Sequence, residues 1–478
     1  MDFIGREQEL AFLNSQYELE HPLTIVTGRR RVGKSALILE FLKDKNSLYF
    51  EVDRETGSAI LRSFSNKVSE TIGRPIGEFR SWSDAIHAYM ELSPRGRKVL
   101  VIDEFQYIAM SDKEFTKGFQ GIWDNYLSKE DVMVILCGSY LTMMRKLILE
   151  YNSPLYGRNT GDLRLMPLPF GVTGHRNDYR RAVEEYSVTG GVPHYMSLMN
   201  PGQTVIENIE RLTMDLGAPL LNEPAYLLSE EFRDPSSYNT YLRVISEGNR
   251  KADRITSAVQ SPSSTVLPYL RNLIDTGMLE RRVPITEGDE GHSRNGIYVI
   301  SDNFMALWYR FVYPYRNRIS RMEPDSAKAD LRVHFVESHV SFVFEDICRS
   351  ELREYLRSRD IFASYGSYWK GNIEIDVVAK DDVNHVLYVG ECKYRTNPIG
   401  SDVLNALRSK CMKVRPFEKY RVVHCLFSVS GYTDEAVANA SLDGSILFDC
   451  GVPMNESSAT SYDSSERRKP ILLAGPSK

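Results

Sequence analysis

The stretch LTIVTGRRRVGKSALILEFL, from Leu23 to Leu42, decides the fold. Leu23 to Thr27 predicts a buried strand, and Ser35 to Leu42 predicts a helix. Between them, GRRRVGKS fits the pattern GxxxxGKS, in which glycines let backbone N–H groups wrap phosphate oxygens at the N-terminus of the following helix. The sequence therefore predicts a nucleotide-phosphate loop made of Gly28, Arg29, Arg30, Arg31, Val32, Gly33, Lys34, Ser35 and Ala36.

A second predicted strand, Lys98 to Glu104 (KVLVIDE), ends in two adjacent carboxylates. Continuous apolar strands of this kind are typical of parallel sheets, whose carboxyl ends meet at one edge. In that arrangement Lys34 reaches the terminal phosphates, and Ser35 and Asp103 hold Mg²⁺. Glu104 then orients the attacking water. An isolated IDE more often marks a solvated turn after a core strand. Its pairing with the loop reverses that preference and predicts a site that binds and hydrolyses ATP or GTP.

Length and composition favour a soluble, cytoplasmic protein of about three domains. The chain has 478 residues, of which 42% are hydrophobic and 26% are charged, as in ordinary globular domains. The N-terminus MDFIGREQEL lacks the regions of a signal peptide, and no apolar run approaches the roughly 18 residues that span a bilayer. The six cysteines are scattered without CxxC pairs, which disfavours disulfides or a zinc site. A net charge of −5 leaves any nucleic-acid contact to a local basic patch.

Two further positions extend the predicted nucleotide site. Val132 to Ser139 (VMVILCGS) predicts another buried strand. Ser139 at its end either hydrogen-bonds the attacking water or terminal phosphate, or caps the next helix. Arg158, in SPLYGR, precedes a predicted strand over residues 162–166 and is expected at the rim of the sheet. There it either stabilises transition-state charge on a neighbouring subunit's nucleotide or is an ordinary surface arginine.

The chain resembles the archaeal and bacterial AAA-type ATPases related to the STAND signal-transduction ATPases, through six motifs in order: FIGRE, GRRRVGKS, VLVIDEFQ, ILCGS, PLYGR and TGGVP. This resemblance covers about residues 1–320. It implies adenine rather than guanine, with Phe3 to Arg6 near the base. It also implies that Ser139 is the sensor, Arg158 the finger and Pro193 a lid residue against the base.

The segment from Ser236 to Asp302 predicts three short helices followed by a strand pair around a polar loop. This order is typical of a winged helix, whose third helix reads DNA. Arg271 on that helix, with Arg281 and Arg282 at the start of the wing, would contact phosphates. Many winged helices in ATPases mediate protein contacts only, and that alternative stays open.

A third set of polar residues lies on a predicted hairpin near the C-terminus. Its strands are NIEIDVVA (372–379) and VLYVGECKY (386–394), joined by the turn DDVNH. Period-two alternation puts Glu391 and Lys393 on one face, with Asp376 on the partner strand. The two carboxylates would bind Mg²⁺ or Mn²⁺, and Glu345 on a preceding amphipathic helix would complete the set. Lys393 would orient or help deprotonate a metal-bound water. The alternative is a solvated hairpin face.

These residues, with the FE of the preceding helix, resemble the PD-(D/E)xK nuclease superfamily and the nuclease-like C-terminal domains fused to this ATPase class. The resemblance covers about residues 330–450. It implies that Asp376, Glu391 and Lys393 form the catalytic core, with Glu345 as the helix acid. Domains of this kind can also keep the motif and only bind DNA or a partner, so the sequence does not separate cleavage from binding.

The predicted fold class is α/β, in five segments. They are a P-loop AAA-type ATPase core (1–175), a helical lid (176–230), a winged helix (231–320), a restriction-endonuclease-like α/β domain (330–451) and a Ser-rich, disordered tail (452–478). The predicted function is ATP hydrolysis with Mg²⁺ by a homo-oligomer, coupled to DNA binding or metal-dependent DNA cleavage, without membrane contact. The alternative is a nucleotide-controlled signalling or defence switch whose nuclease-like domain only binds DNA or a protein partner.

Overall fold

The computed structural model describes residues 3–112, 114–173, 178–287, 293 and 295–454. Two compact units divide the chain: residues 1–282 with 294–339, and residues 283–293 with 340–478. The predicted ATPase core, lid and winged helix thus fall almost entirely in the first unit. Among the described residues, no helix is long and apolar enough to cross a lipid bilayer.

The first unit contains seven strands and eighteen α-helices within its described residues. Its strands are β1 (Leu23–Thr27), β2 (Asn46–Glu51), β3 (Lys98–Asp103), β4 (Val132–Gly138), β5 (Gly161–Arg164), β6 (Leu279–Arg282) and β7 (Ile297–Ile300). Its helices are α1 (Glu7–Tyr17), α2 (Lys34–Leu42), α3 (Gly57–Ile72), α4 (Trp82–Leu92), α5 (Gln106–Ser111), α6 (Phe115–Asn125), α7 (Leu141–Met144), α8 (Phe170–Thr173), α9 (Tyr179–Thr189), α10 (Pro193–Leu198), α11 (Val205–Thr213), α12 (Glu223–Glu231), α13 (Pro235–Ser246), α14 (Ala252–Val259), α15 (Ser263–Asp275), α16 (Asn303–Phe311), α17 (Arg316–Ser320) and α18 (Asp325–Phe335).

The central feature of the first unit is a five-stranded parallel sheet with the order β2-β3-β4-β1-β5. Every residue of β1, β3 and β4 is buried, because apolar clusters cover both faces. Ile25 and Ile102 belong to the cluster on one face, and Val26 and Val101 belong to the cluster on the other. This alternation explains why the sequence shows continuous apolar runs rather than a period of two. The parallel directions bring the ends of β1, β3 and β4 to one edge.

Three helices and a strand pair follow later in the first unit. The helices are α13, α14 and α15, and β6 pairs antiparallel with β7 from Leu279↔Ile300 to Arg282↔Ile297. The element order agrees with the prediction. The first strand is shorter than the predicted LERRVPI, because residues 283–293 belong to the second unit, where Pro284 forms an isolated bridge with Ser367. The polar loop at residues 288–292 lies outside the described residues.

The second unit is a mixed six-stranded sheet with helices α19 (Ser341–Arg357), α20 (Ser401–Met412) and α21 (Asp434–Asp443). Its strands are β8 (Ser364–Lys370), β9 (Ile373–Asp381), β10 (Val386–Lys393), β11 (Arg421–Ser428), β12 (Ile446–Asp449) and β13 (Val452–Pro453), in the order β13-β12-β11-β10-β9-β8. β9 and β10 form the predicted antiparallel hairpin, and β10 then pairs parallel with β11. The sheet extends through β13, beyond the predicted boundary at residue 451. Residues 455–478, predicted to be disordered, lie outside the described residues.

Candidate functional site

The phosphate loop connects β1 to α2 at the carboxyl edge of the parallel sheet. α2 begins at Lys34, so the N–H groups of its first turn have no partners within the helix and are available to an anion. Two glycines allow this path. A Cβ on Gly28 would lie 2.6 Å from the backbone oxygen of Leu165, and Gly33 has a left-handed φ of 94°. The loop is therefore shaped by close backbone approach, as a phosphate cradle requires.

Lys34 lies in this loop with its ammonium group turned onto the backbone. Its Nζ donates to the Arg29 carbonyl oxygen at 3.2 Å, and the residue is 6% exposed. An ammonium held by a single backbone oxygen beside free N–H groups can exchange that oxygen for a phosphate oxygen. Of the other loop residues, Val32 is buried in the apolar cluster and anchors the loop, whereas Ala36 is exposed on α2.

Ser35 and Asp103 meet where the loop passes the end of β3. Ser35 Oγ donates to Asp103 Oδ2 at 2.8 Å, and the Glu104 N–H donates to Asp103 Oδ1 at 2.9 Å. Asp103 is 1% exposed. A hydroxyl and a carboxylate are hard oxygen donors of the kind that Mg²⁺ takes while keeping several waters. The residues assigned to Mg²⁺ from the sequence therefore lie in contact and fit this ion.

Glu104 follows β3 with its carboxylate held by neighbouring donors. Ser139 Oγ donates to Glu104 Oε2 at 2.7 Å, and the Ser139 N–H reaches the same oxygen at 3.2 Å. Gln106 Nε2 is a further donor to Oε2. Glu104 has a φ of 54°, a left-handed conformation that is costly for a residue with a Cβ and is often found at functional sites. Ser139 thus lies beside Glu104, and Gln106 is an additional contact that sequence reasoning missed.

The three loop arginines each form an ion pair with an acid from residues 223–302. We call this set the arginine clamp, and its pairs are Arg29 with Asp302, Arg30 with Glu230, and Arg31 with Glu223. Arg31 Nη1 lies 2.7 Å from Glu223 Oε2, and Tyr195 donates its hydroxyl to Glu223 Oε1 at 2.9 Å. Asp302 and Glu223 are almost fully buried, at 2% and 1% side-chain exposure. The clamp therefore joins the phosphate loop to α12 and to the start of α16.

The AAA-type resemblance implies roles for two further residues, Pro193 and Arg158. Pro193 lies beside the phosphate loop, whereas Arg158 is engaged by another side chain. Pro193 begins α10 beside the loop, where a Cβ on Gly33 would lie 3.7 Å from Pro193 Cγ. Arg158 is paired with Asp124 of its own chain, with its Nε 2.7 Å from Oδ1 and its Nη2 2.8 Å from Oδ2. A role for Arg158 on a neighbouring subunit's nucleotide would require it to exchange this bidentate partner.

A cleft also lies beside the loop within the first unit, between the ATPase sheet and α12. Its lining includes Arg29, Arg30, Ser139, Glu230 and Glu231. Burial raises the pKa of Glu231 to about 7, although the Leu141 N–H donates to its Oε1 at 3.0 Å. This carboxyl is thus a titratable group next to the nucleotide site that sequence patterns did not indicate.

The hairpin residues of the second unit form a compact polar cluster. Asp376 Oδ2 accepts a hydrogen bond from the Cys392 N–H at 2.8 Å, and Glu391 Oε1 accepts from Lys393 Nζ at 2.8 Å. The alternation predicted for β10 agrees with this arrangement, because Glu391 pairs with Lys393, whereas the Cys392 side chain contacts Cys348 of α19. Lys410 of α20 donates to the other oxygen, Oε2, at 2.8 Å and was missed by sequence reasoning. Glu391 thus lies between two lysines.

The protonation of this cluster is set by burial and by neighbouring charges. Burial, with the charge of Glu391, raises the pKa of Asp376, and burial, with the charge of Asp376, raises the pKa of Glu345. Burial acts against the charged form of Lys393, but its pairing with Glu391 outweighs this and raises the pKa of Lys393. Lys393 therefore suits orienting or charge-stabilising roles better than proton abstraction. Within the described ranges, no group of three or more His, Cys, Asp or Glu side chains is arranged to hold a metal ion.

The arginines predicted to contact DNA differ in their surroundings. Arg271 is exposed on α15, whereas Arg281 and Arg282 of β6 are half-buried. The side chain of Arg281 packs beneath Gly296, where an added Cβ would lie 2.7 Å from its Nη2. Arg282 forms an ion pair with Glu280. Of the three, Arg271 is the most accessible.

Comparison with known proteins finds an ATPase-domain family that matches the N-terminal region. Residues 3–198 match the model of a family of ATPase domains found predominantly in Archaea. This match and the loop geometry support an ATP-binding ATPase. Residues 308–407 match a second family model, which describes archaeal and bacterial proteins of unknown function. That match contains Asp376, Glu391 and Lys393, and a nuclease role for them stays a prediction.

One curated relative is similar to this chain over most of its length. An uncharacterised protein of Methanocaldococcus jannaschii is 27% identical over 439 residues, which cover 88% of this chain and 95% of that protein. Among solved structures, a Walker-type ATPase of Pyrococcus abyssi is 22% identical with a TM-score of 0.44, covering 65% of this chain and 96% of that one. A signal-transduction ATPase with numerous domains from Pyrococcus horikoshii is 14% identical with a TM-score of 0.26, covering 75% of this chain and 50% of that one.

Proposed function

We propose that this protein is an AAA-type ATPase that hydrolyses ATP and whose nucleotide state governs nucleic-acid binding, or metal-dependent DNA cleavage, by its second unit. The observation that carries the ATPase proposal is the contact of Ser35 with Asp103 at 2.8 Å, directly beside the Glu104–Ser139 pair. These side chains come from α2 and from the ends of β3 and β4, which meet at the carboxyl edge of the parallel sheet.

In this mechanism each residue has a separate task. The loop N–H groups and Lys34 bind the phosphates, and Ser35 and Asp103 would hold Mg²⁺, which when bound would neutralise phosphate charge. Glu104 accepts a hydrogen bond from the attacking water and orients it toward the terminal phosphate. Ser139 holds the Glu104 carboxylate and is proposed to sense whether that phosphate is present. Arg158 is proposed to act on a neighbouring subunit's nucleotide, and Pro193 to contact the adenine.

For the second unit, we propose that Lys393 and Lys410 bind phosphodiester oxygens. Both ammonium groups lie 2.8 Å from the Glu391 carboxylate, on side chains that are 36% and 32% exposed and therefore accessible to a phosphate. If the second unit cleaves DNA, Glu391, Asp376 and Glu345 would supply the carboxylate oxygens for Mg²⁺ or Mn²⁺, which requires them to rearrange, since the described side chains are not arranged to hold a metal ion. Arg271 on the proposed winged helix, together with Arg281 and Arg282, would add phosphate contacts.

The ATPase proposal is tested by phosphate release and by binding of a fluorescent ATP analogue. Lys34→Ala should lose nucleotide affinity, because the ammonium that meets the phosphates is gone. Glu104→Gln should still bind nucleotide but lose at least about 100-fold in turnover, because the water is no longer oriented. Lys43→Ala, an exposed lysine just after α2, is the matched control and should behave as wild type. Normal turnover in Glu104→Gln would refute the mechanism.

The proposal for the second unit is tested by incubating single-stranded, duplex and branched DNA with Mg²⁺ or Mn²⁺, with and without ATP. Cleavage by wild type that disappears in Lys393→Ala supports a nuclease. Lys413→Ala, which removes an exposed lysine just after α20, is the control. DNA binding without cleavage would leave recognition as the activity of this unit.

A second candidate function is a nucleotide-controlled signalling or defence switch whose second unit only binds DNA or a protein partner. One observation favours it: both oxygens of Glu391 are engaged by lysines, each at 2.8 Å, which competes with metal binding. In that case Asp376→Ala should leave DNA affinity unchanged, because no metal is needed. An affinity that rises with Mg²⁺ and is lost in Asp376→Ala would contradict the switch.

A further inference from the structure

Tyr49 contacts the carboxylate assigned to Mg²⁺, although nothing in the sequence pattern indicated it. Tyr49 lies on β2, and its hydroxyl donates to Asp103 Oδ2 at 2.5 Å. The same oxygen accepts the Ser35 hydroxyl at 2.8 Å, while Asp103 Oδ1 accepts the Glu104 N–H at 2.9 Å. Donors from β2, from α2 and from the backbone just after β3, together with the Cys137 thiol of β4, therefore determine how the Asp103 carboxylate is rotated.

The strand pairing explains how the tyrosine reaches this point. β2 runs parallel to β3, and Tyr49 is the register partner of Val101, two residues before Asp103. The phenol ring packs against the apolar cluster that includes Val101 and Cys137, on the face of the sheet that α2 covers. The ring is long enough to carry its hydroxyl past Val101 to the end of the neighbouring strand. A shorter side chain on β2 would stop short of the carboxylate.

The Tyr49 hydroxyl donates to a carboxylate that is 1% exposed and has little access to water. Hydrogen bonds to ionised acceptors are about twice as strong as neutral ones.

We infer that Tyr49 is a positioning residue of the nucleotide site: its hydroxyl holds the Asp103 carboxylate in the rotation that, together with Ser35, accepts the Mg²⁺ of a magnesium–nucleoside triphosphate. This inference rests on the proposed ATPase function. Tyr49 makes its contact through Asp103 rather than through the nucleotide. Removal of outer partners of this kind weakens metal sites by about 10- to 100-fold.

The test is nucleotide binding as a function of Mg²⁺ concentration, with a fluorescent ATP analogue and the full-length protein. Tyr49→Phe keeps the ring and its packing and removes only the hydroxyl. Tyr89→Phe is the matched control, since the Tyr89 hydroxyl is fully buried against the same sheet and donates to the Val99 carbonyl oxygen at 3.3 Å. Thermal melting without nucleotide verifies that both variants are folded.

We expect the half-saturating Mg²⁺ concentration to rise by about tenfold in Tyr49→Phe, with unchanged affinity in EDTA. Tyr89→Phe should follow the wild-type Mg²⁺ curve. If wild type binds magnesium–nucleotide and Tyr49→Phe has the same Mg²⁺ dependence, the positioning role is refuted while the ATPase stands. A loss of affinity that is equal with Mg²⁺ and with EDTA also refutes it, because it indicates a general packing defect. If wild type shows no Mg²⁺-dependent binding, the proposed ATPase function fails together with this inference.

Discussion

Replacing Arg31 or Glu223 by an uncharged residue should lower the free energy of unfolding of the first unit. The size of the loss should depend on how deeply the remaining charged partner is buried. Glu223 is 1% exposed, while Arg31 is 25% exposed. Arg31→Met would leave a buried carboxylate with the Tyr195 hydroxyl, 2.9 Å away, and the nearby charge of Arg29. Breaking a buried pair in this way costs about 3–5 kcal/mol, and the remaining hydroxyl places the expected loss near 3 kcal/mol. Glu223→Gln should cost less, about 1–2 kcal/mol, because the freed guanidinium is partly solvated.

The assay is a double-mutant cycle. Unfolding by guanidinium would be followed by tryptophan fluorescence without nucleotide for wild type, Arg31→Met, Glu223→Gln and the double variant. The transition belonging to the first unit is the one that ATP shifts, because a ligand stabilises the unit that binds it. The double variant should be less destabilised than the sum of the single variants, with a coupling free energy of about 2 kcal/mol.

A surface pair supplies the control for this cycle. Lys43 Nζ and Glu40 Oε2 are also 2.7 Å apart, but their side chains are 67% and 29% exposed. Glu40→Gln should therefore change stability by less than about 0.5 kcal/mol. A coupling free energy below about 0.5 kcal/mol for Arg31 and Glu223 would refute the reasoning, because burial would then not distinguish the two pairs.

Two further predictions concern residues near the proposed nucleotide site, Glu231 and Gly138. Because the pKa of Glu231 is raised to about 7, its protonation stabilises the folded state fully below about pH 4.5, and this contribution disappears as pH rises toward 7. Thermal melts between pH 4.5 and 8 should therefore show a shallower loss of stability in Glu231→Gln, and a slope identical to that of wild type would contradict the assignment. A Cβ on Gly138 would collide with Gln106 Oε1 and with Met144. Gly138→Ala should therefore displace the Gln106 contact to Glu104 and lower phosphate release several-fold with little change in ATP-analogue affinity. Unchanged turnover would show that Gln106 is not needed.

Much of the first unit was predictable because its signals are local. The strand, loop and helix from Leu23 to Leu42 lie within one contiguous stretch, and their order alone predicts a phosphate cradle. The strands ending near Asp103 and Ser139 were also predictable, since strands buried on both faces leave continuous apolar runs. The end of β6 was harder to predict from the sequence, because Pro284 pairs with Ser367, a residue far along the chain. Strand ends of this kind depend on the partner that the folded chain supplies.

The sequence by itself determined the identity and order of the chemical groups: a phosphate loop, two carboxylates after an apolar strand, and an acidic and basic hairpin. It did so because helix and strand periods and turn chemistry are recorded over a few neighbouring residues. Only the tertiary structure decided which groups meet, such as Tyr49 with Asp103, Arg31 with Glu223 and Lys410 with Glu391. Each contact depends on strand register or helix packing between distant segments. Such contacts have no sequence period, since they arise only when the sheet and its covering helices are assembled.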